Sequence, residues 1–258
     1  MVSRWVVAIT FTTIAAWAQS SGSPLAFTKE SPVPPQPNGG GASLNSEMRG
    51  DIYMARKMFR EAVESYSQAD QSSPIIVNKI GIAYHQMVEL DLARRHYERA
   101  VKLDPKYSEA VNNLGTVYYA RKNYRKAVSQ YNKALKLKPN AASIHSNLGT
   151  AQFARKKYKQ AMAAYEKALA LDPEVFEHRG TNGVLLQERS VGERAKFHFF
   201  LAKTYAKAGV VERALMYIRK ALEEGFKDRE KFTKEPEFAT LQELPEFQQL
   251  MALEPRVL

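Results

Sequence analysis

Residues 112–139 read NNLGTVYYARKNYRKAVSQYNKALKLKP and residues 146–173 read SNLGTAQFARKKYKQAMAAYEKALALDP, two stretches that match almost residue for residue at a spacing of 34. The period extends outward from them. Gly81, Gly115 and Gly149 keep it, as do Ala93, Ala127 and Ala161, then Tyr97, Tyr131 and Tyr165, and finally Pro105, Pro139 and Pro173. Within one period, Leu114, Val117 and Tyr118 share a face of a first helix. Ala127, Val128, Tyr131, Ala134 and Leu135 recur at the three-and-four spacing of a second. Gly115 and Ala127 are small where two helix backbones are expected to approach closely, and the proline after each second helix stops it. A single pair leaves both apolar stripes uncovered, so consecutive pairs must stack into one continuous core.

An earlier unit carries Gly50, Tyr53, Ala62, Tyr66, Ala69 and Pro74, 31 residues ahead of the next. The three missing residues fall between Pro74 and Gly81, which predicts a late start for the first helix of the second unit. A later unit, LAKTYAKAGVVERALMYIRKALEEGF from Leu201 to Phe226, keeps Leu201, Tyr205, Ala214, Ile218 and Ala221 on pattern, with Ala202 in place of the glycine and Phe226 in place of the proline. The step from Ala161 to Ala214 is 53 residues against 34, so 19 extra residues separate this unit from the one before.

These residues resemble the tetratricopeptide repeat, whose 34-residue signature sets Leu-Gly, an aromatic, Ala, an aromatic, Ala and Pro in that order. The resemblance implies an all-α, right-handed solenoid of five helix-turn-helix pairs closed by a C-terminal capping helix. The units divide as 43–73, 74–107, 108–141 and 142–173, then an inserted loop 174–194, a fifth unit 195–228, and a cap and tail 229–258. In the cap, Leu244, Phe247, Leu250 and Met251 fall on one side. In the insert, Gly180 and Gly183 suggest a turn ahead of Val184, Leu185 and Leu186, which are expected to tuck against the solenoid.

At 258 residues, 45% hydrophobic and 25% charged, the chain can bury a sizeable core. It contains no cysteine, which excludes disulfides, thiolate nucleophiles and cysteine zinc sites. Its formal charge of +11 points to an acidic partner, an anionic surface or a nucleic acid. The opening MVSRWVVAITFTTIAAWA has Arg4, an apolar run from Trp5 and small residues at Ala16 and Ala18, the layout of a signal peptide over residues 1–18. The alternative is an uncleaved N-terminal membrane anchor, although the run is short against the roughly 20 residues that span a bilayer. Residues 19–42, rich in Pro, Gly and Ser, form a tether. Export places the protein in the periplasm or outside the cell and argues against nucleic acid as its partner.

No Gly-rich phosphate loop and no Gly-x-Ser-x-Gly elbow occurs. The histidines at 85, 96, 145, 178 and 198 show no metal spacing, so neither an enzyme, a cofactor nor a metal is expected. Two surfaces are candidates for binding. Between Glu109 and Glu166 there is no acidic residue but eleven basic ones, among them Arg121, Lys122, Lys126, Arg155, Lys156 and Lys157. They form either a solvated basic face or one that docks an anionic surface or polymer. In the repeat family the first helix of each unit lines a concave groove, which here assigns Asn78, Asn112, Asn113, Thr116, Tyr119, Asn147, Thr150 and Phe153 to the binding of a peptide or partner protein. Asn113 and Asn147 resemble the asparagine ladder with which some members of the family hold a peptide backbone, while Glu109 and Ser143 depart from the family's carboxylate clamp.

Overall fold

A computed structural model describes residues 45–176 and 190–253. The expected signal, tether and Val184–Leu186 contact lie outside the described residues. Five antiparallel helix pairs follow one another: α1 (Ser46–Ala55) with α2 (Phe59–Ser67), α3 (Pro74–Gln86) with α4 (Leu90–Leu103), α5 (Ser108–Ala120) with α6 (Tyr124–Leu137), α7 (Ala142–Ala154) with α8 (Tyr158–Leu171), and α9 (Val191–Lys207) with α10 (Val211–Glu223). Each second helix packs on the first helix of the next pair. Short α11 (Lys231–Lys234), a 3₁₀ turn (Pro236–Leu241) and α12 (Pro245–Ala252) complete an all-α solenoid, with no strand among the described residues.

The repeating glycine is explained by a ring. A Cβ built on Gly50, Gly81, Gly115 or Gly149 would lie 2.4–2.6 Å from the nearest carbon of Tyr66, Tyr97, Tyr131 or Tyr165. Each tyrosine stands 16 residues after its glycine, and all four are at most 1% exposed. What approaches the bare glycine is therefore the tyrosine ring of the paired helix, rather than helix backbone as the sequence suggested. The fifth unit changes both partners together: Ala202 takes the glycine's place and Ile218 the tyrosine's, both wholly buried. The methyl group gained on one helix is offset by the ring lost from the other.

Within every unit the first helix ends in the same turn. Lys57, Val88, Lys122 and Lys156 have φ of 60, 63, 59 and 60°, and Gly209 has 74°. The next amide bonds back across the turn, as in Glu89 to the Tyr84 carbonyl and Asn123 to that of Tyr118, which is a Schellman closure with a left-handed residue at its centre. Only the fifth turn uses glycine, the residue that adopts this conformation at no steric cost.

The three-residue deletion falls elsewhere than expected. Helix α3 begins seven residues before Gly81, as α5 does before Gly115, so it does not start late. Instead α2 has 9 residues where α4, α6 and α8 have 14. Pro74 is the first residue of α3, capped by the Ser73 hydroxyl, where a missing N–H costs nothing. At the other end, Phe247 and Leu250 of α12 are buried, with Leu244 and Met251 packed beside them, in a core that also holds Phe199, Phe226, Phe232 and Phe238. Phe226 stacks on Phe199 at 4.5 Å.

Three histidines sit in this framework with depressed pKa values: His85 and His96 chiefly through burial, and His198 through burial that outweighs the nearby Glu224 carboxylate. The unfolded chain takes up these protons near the ordinary 6.5 and the folded chain only lower, so stability falls as pH drops through that window. Chemical denaturation should therefore give a lower midpoint at about pH 5.5 than at about 7.5, with a smaller difference in His85→Gln/His96→Gln; equal midpoints in the parent would contradict it. The Gly–Tyr fit is open to a four-protein cycle. Gly115→Ala should cost about 1–3 kcal/mol, and joining it to Tyr131→Ile, as in the fifth unit, should recover at least about 1 kcal/mol of the summed single costs; additive costs would refute the fit.

Candidate functional site

The first helices repeat one stripe at i, i+3, i+4 and i+7: Ile75, Asn78, Lys79 and Ile82 on α3, Glu109, Asn112, Asn113 and Thr116 on α5, and Ser143, Ser146, Asn147 and Thr150 on α7. A recess of about 320 Å³ opens along this stripe, lined by Ile75, Asn78, Lys79 and Ile82, by Tyr107, Glu109, Asn112 and Asn113, and by Lys138, Ala141, Ser143 and Ile144. Ile75 is 49% exposed. The charges here are internally paired. Lys79 lies 2.8 Å from both Glu47 and Asp51, and Lys138 lies 2.9 Å from Glu109. Burial pulls the Lys79 pKa down, but the bonds from Asp51 and Glu47 outweigh it and hold it above its ordinary value. Burial likewise raises Glu109, and the Lys138 hydrogen bond more than reverses the effect.

The asparagines bond first to one another. Asn147 Nδ2 donates to Asn112 Oδ1 at 3.0 Å, Asn112 Nδ2 to Asn113 Oδ1 at 3.3 Å, Asn113 Nδ2 to Asn78 Oδ1 at 3.0 Å, and Asn78 Nδ2 to the Tyr107 hydroxyl at 3.3 Å. The register of these ties is one period plus one residue. It recurs in the first unit as the ion pair Glu47–Lys79, while in the last unit the position equivalent to Asn113 and Asn147 is held by Phe200, which packs on Phe153. Asn113 and Asn147 therefore do not stand as a free, equivalent pair: each is tied to the preceding unit, and Asn147 is only 1% exposed.

Two further expectations are corrected. Phe153 is 5% exposed, because α9 of the displaced fifth unit packs Phe197 and Phe200 edge-on against it at 5.4 and 5.8 Å. Thr150 is buried, bonded to the Ser146 carbonyl and to the Tyr165 hydroxyl. Thr116 bonds the Asn113 carbonyl, and Tyr119 packs on Tyr124 at 5.2 Å, both half-buried beside the recess rather than lining it. Ile75, Ile82 and Tyr107 were missed. The first two share the period of Asn78 and Lys79, a signal that was present but is the same one a core stripe gives.

The basic residues gather at the turns. Arg121, Lys122, Asn123, Tyr124 and Arg125 of one unit and Arg155 and Lys157 of the next line a shallow recess of about 650 Å³. Arg121 is paired with Asp91 at 3.0 Å, and Lys126 lies over the Tyr118 ring. No cluster of three or more His, Asp or Glu able to hold a metal occurs among the described residues. No helix among them is long and apolar enough to cross a membrane. Because Asn112 both accepts from Asn147 and donates to Asn113, Asn112→Ala should strand two buried partners and cost about 1–3 kcal/mol. A urea midpoint unchanged by that substitution would show that the ties carry no stability.

Family profiles described as TPR repeat match residues 115–155, and others described as tetratricopeptide repeat match 142–175, 96–129 and 76–107. No curated protein matches. Among solved structures, PilF of Pseudomonas aeruginosa is similar at 21% identity over 72% of this chain and 78% of its own, with a TM-score of 0.51, a likeness of fold. MamA from Desulfovibrio magneticus RS-1 is 20% identical over 68% of this chain and 90% of its own, TM-score 0.47. The first TPR of Spaghetti (RPAP3), bound to an HSP90 peptide, is 28% identical over 42% and 86%, TM-score 0.40. Proteins built from these repeats are in general non-catalytic scaffolds for protein interaction. With four adjoining matches covering 76–175 and the same helix pairing continued on either side, this chain is a tetratricopeptide repeat protein.

Proposed function

We propose that the chain is a non-catalytic scaffold that binds an extended segment of a partner protein along the inner-helix stripe of the second to fourth units. The observation that carries this reading is the recess itself: a floor of amides, flanked by the isoleucines Ile75 and Ile82 and by ion pairs that need no ligand to neutralise them. A primary amide has two donor hydrogens and two acceptor lone pairs. The ladder uses one donor of each, which leaves a second N–H at Asn78, Asn112 and Asn113 for a peptide carbonyl. Half-exposed Ile75 offers apolar surface beside them. Neutral amides and balanced charges suit a peptide backbone with small or apolar side chains better than an acidic tail.

Arg4, the apolar run from Trp5 and the small residues Ala16 and Ala18 support the accompanying reading that the chain is exported, with a cleaved leader and the 19–42 tether ahead of the repeats. The domain division given by the period goes with it. Peptides selected from a random display library on the full chain test the groove. Their affinity should fall roughly tenfold or more in Ile75→Glu and in Ser143→Trp, which fills the recess, since about 1.4 kcal/mol suffices. It should be unchanged in Lys122→Glu/Lys157→Glu. Selected peptides that tolerate both groove substitutions would overturn the assignment.

A further inference from the structure

The turns that join the two helices of each unit lie along one edge of the solenoid, and that edge is charged in a way the groove is not. On the third and fourth units it presents Arg121, Lys122, Arg125 and Lys126, then Arg155, Lys156, Lys157 and Lys159. Among the described residues, only Arg121 of these eight has a carboxylate partner, Asp91. Helices α5 and α7 end at these turns and α6 and α8 begin there, so the helix dipoles oppose one another and the field of the edge is that of its side chains. Lysines occupy the left-handed position at 122 and 156 and so project from the turn tips. Such a concentration of unpaired like charge costs stability unless an anion meets it.

The neighbouring turn shows what kind of anion. Val88 holds the left-handed position of the second unit at φ 63° and is 73% exposed, the most exposed large hydrophobic side chain among the described residues. A β-branched residue in that conformation is an outlier, and exposure returns nothing for the strain. On the turn before it, Met58 follows Arg56 and Lys57 and is 37% exposed. Apolar tips beside a cationic row have no use on a soluble polyanion. They suit an interface with charged headgroups outside and hydrocarbon beneath, where Tyr124 at the recess also fits. The carboxylates next to Val88 in sequence are Glu89 and Asp91, and Asp91 is neutralised by Arg121 at 3.0 Å and Arg94 at 3.9 Å.

We propose that this edge docks the protein on an anionic phospholipid bilayer, with the turns at 121–125 and 155–159 on the headgroups and Val88 at the acyl boundary. The surface is distinct from the peptide recess and does not depend on it.

The absence of cysteine makes a position-resolved test simple. Full-length Val88→Cys and Leu103→Cys, each carrying an environment-sensitive fluorophore, are mixed with phosphatidylcholine vesicles with and without phosphatidylglycerol. Leu103 is 42% exposed at the far end of α4, about 21 Å away. The label at 88 should shift to shorter wavelength only with the anionic vesicles, and the label at 103 should not shift. This comparison separates docking by the edge from insertion of the apolar run near the N-terminus, which would leave the label at 88 unchanged and overturn the proposal. In sedimentation with the same vesicles, Lys122→Glu/Lys156→Glu/Lys157→Glu should weaken binding roughly a hundredfold. Val88→Gly relieves the turn, so its unfolding temperature should rise while its vesicle affinity falls about fivefold. Binding that ignores both variants, or binding of the full chain to heparin or polyphosphate with none to anionic vesicles, would overturn the bilayer assignment.

Discussion

The fold rests on a steric fit between a glycine and a tyrosine 16 residues later. In four units the ring lies where a side chain on the first helix would have to be, with under 2.7 Å between the ring and the missing Cβ position. That closeness fixes the distance and rotation of the two helices in a pair more tightly than an apolar stripe does, since a stripe tolerates sliding and a ring in a notch does not. Once each pair is a rigid wedge, the angle between pairs follows from what packs between them. The wholly buried alanines Ala62, Ala93, Ala127, Ala161 and Ala214 hold that space constant. Conversion of the lock to Ala202 and Ile218 in the last unit supports the same view. The two positions change together because they share one volume.

Between pairs the ties are polar, and their sequence along the solenoid has a physical order. The first is an ion pair near an exposed end, the next two are buried amide pairs, and the last position is taken by Phe200. A buried amide without a partner is costly, so a ladder of this kind must either continue or be replaced by apolar contact. At the fifth unit it is replaced. Phe199 then faces the cap rather than a sixth unit, and Phe226, Phe232 and Phe238 fill the space. Lys203, on the same stripe, is ion-paired to Glu235 and Glu237 of the cap segment. The chain itself thus covers the stripe at its C-terminal end and leaves it open over the middle units.

Much of the architecture was legible because the period of 34 is written in small and aromatic residues whose packing role is the same in every unit. The site was less legible. Asn112 and Asn113 look alike in sequence, and only the offset of one residue between partners shows that one donor of each tie is spent between neighbouring units. Phe153 sits at the position of Tyr119, but the fifth unit covers it with Phe197 and Phe200, a tertiary contact across the inserted segment that periodicity cannot show. The shortening of α2 was misplaced because Pro74 was equated with the prolines that follow second helices, whereas a proline is equally at home at the start of a first one. The basic edge was visible as a charge run. Its apolar neighbour was not, because nothing in the sequence marks Val88 as strained.

Groove and edge differ in how their charges are settled, and the two proposed tasks follow that difference. The lysines of the groove are neutralised by carboxylates of the same chain, so an incoming segment meets a surface that is electrostatically complete and is selected by shape and hydrogen bonds. At the edge the lysines of adjacent turns are left to repel one another. Solvent-exposed charges of this kind act over roughly a Debye length, about 8–10 Å at ordinary ionic strength, which spans neighbouring turns but not the far end of a 14-residue helix. The field of the edge is therefore weak at the groove, and binding at either surface leaves the other's electrostatics largely intact. On the two proposals above, a partner in the neutral recess and a surface on the cationic rim would be held at the same time without either contact setting the strength of the other.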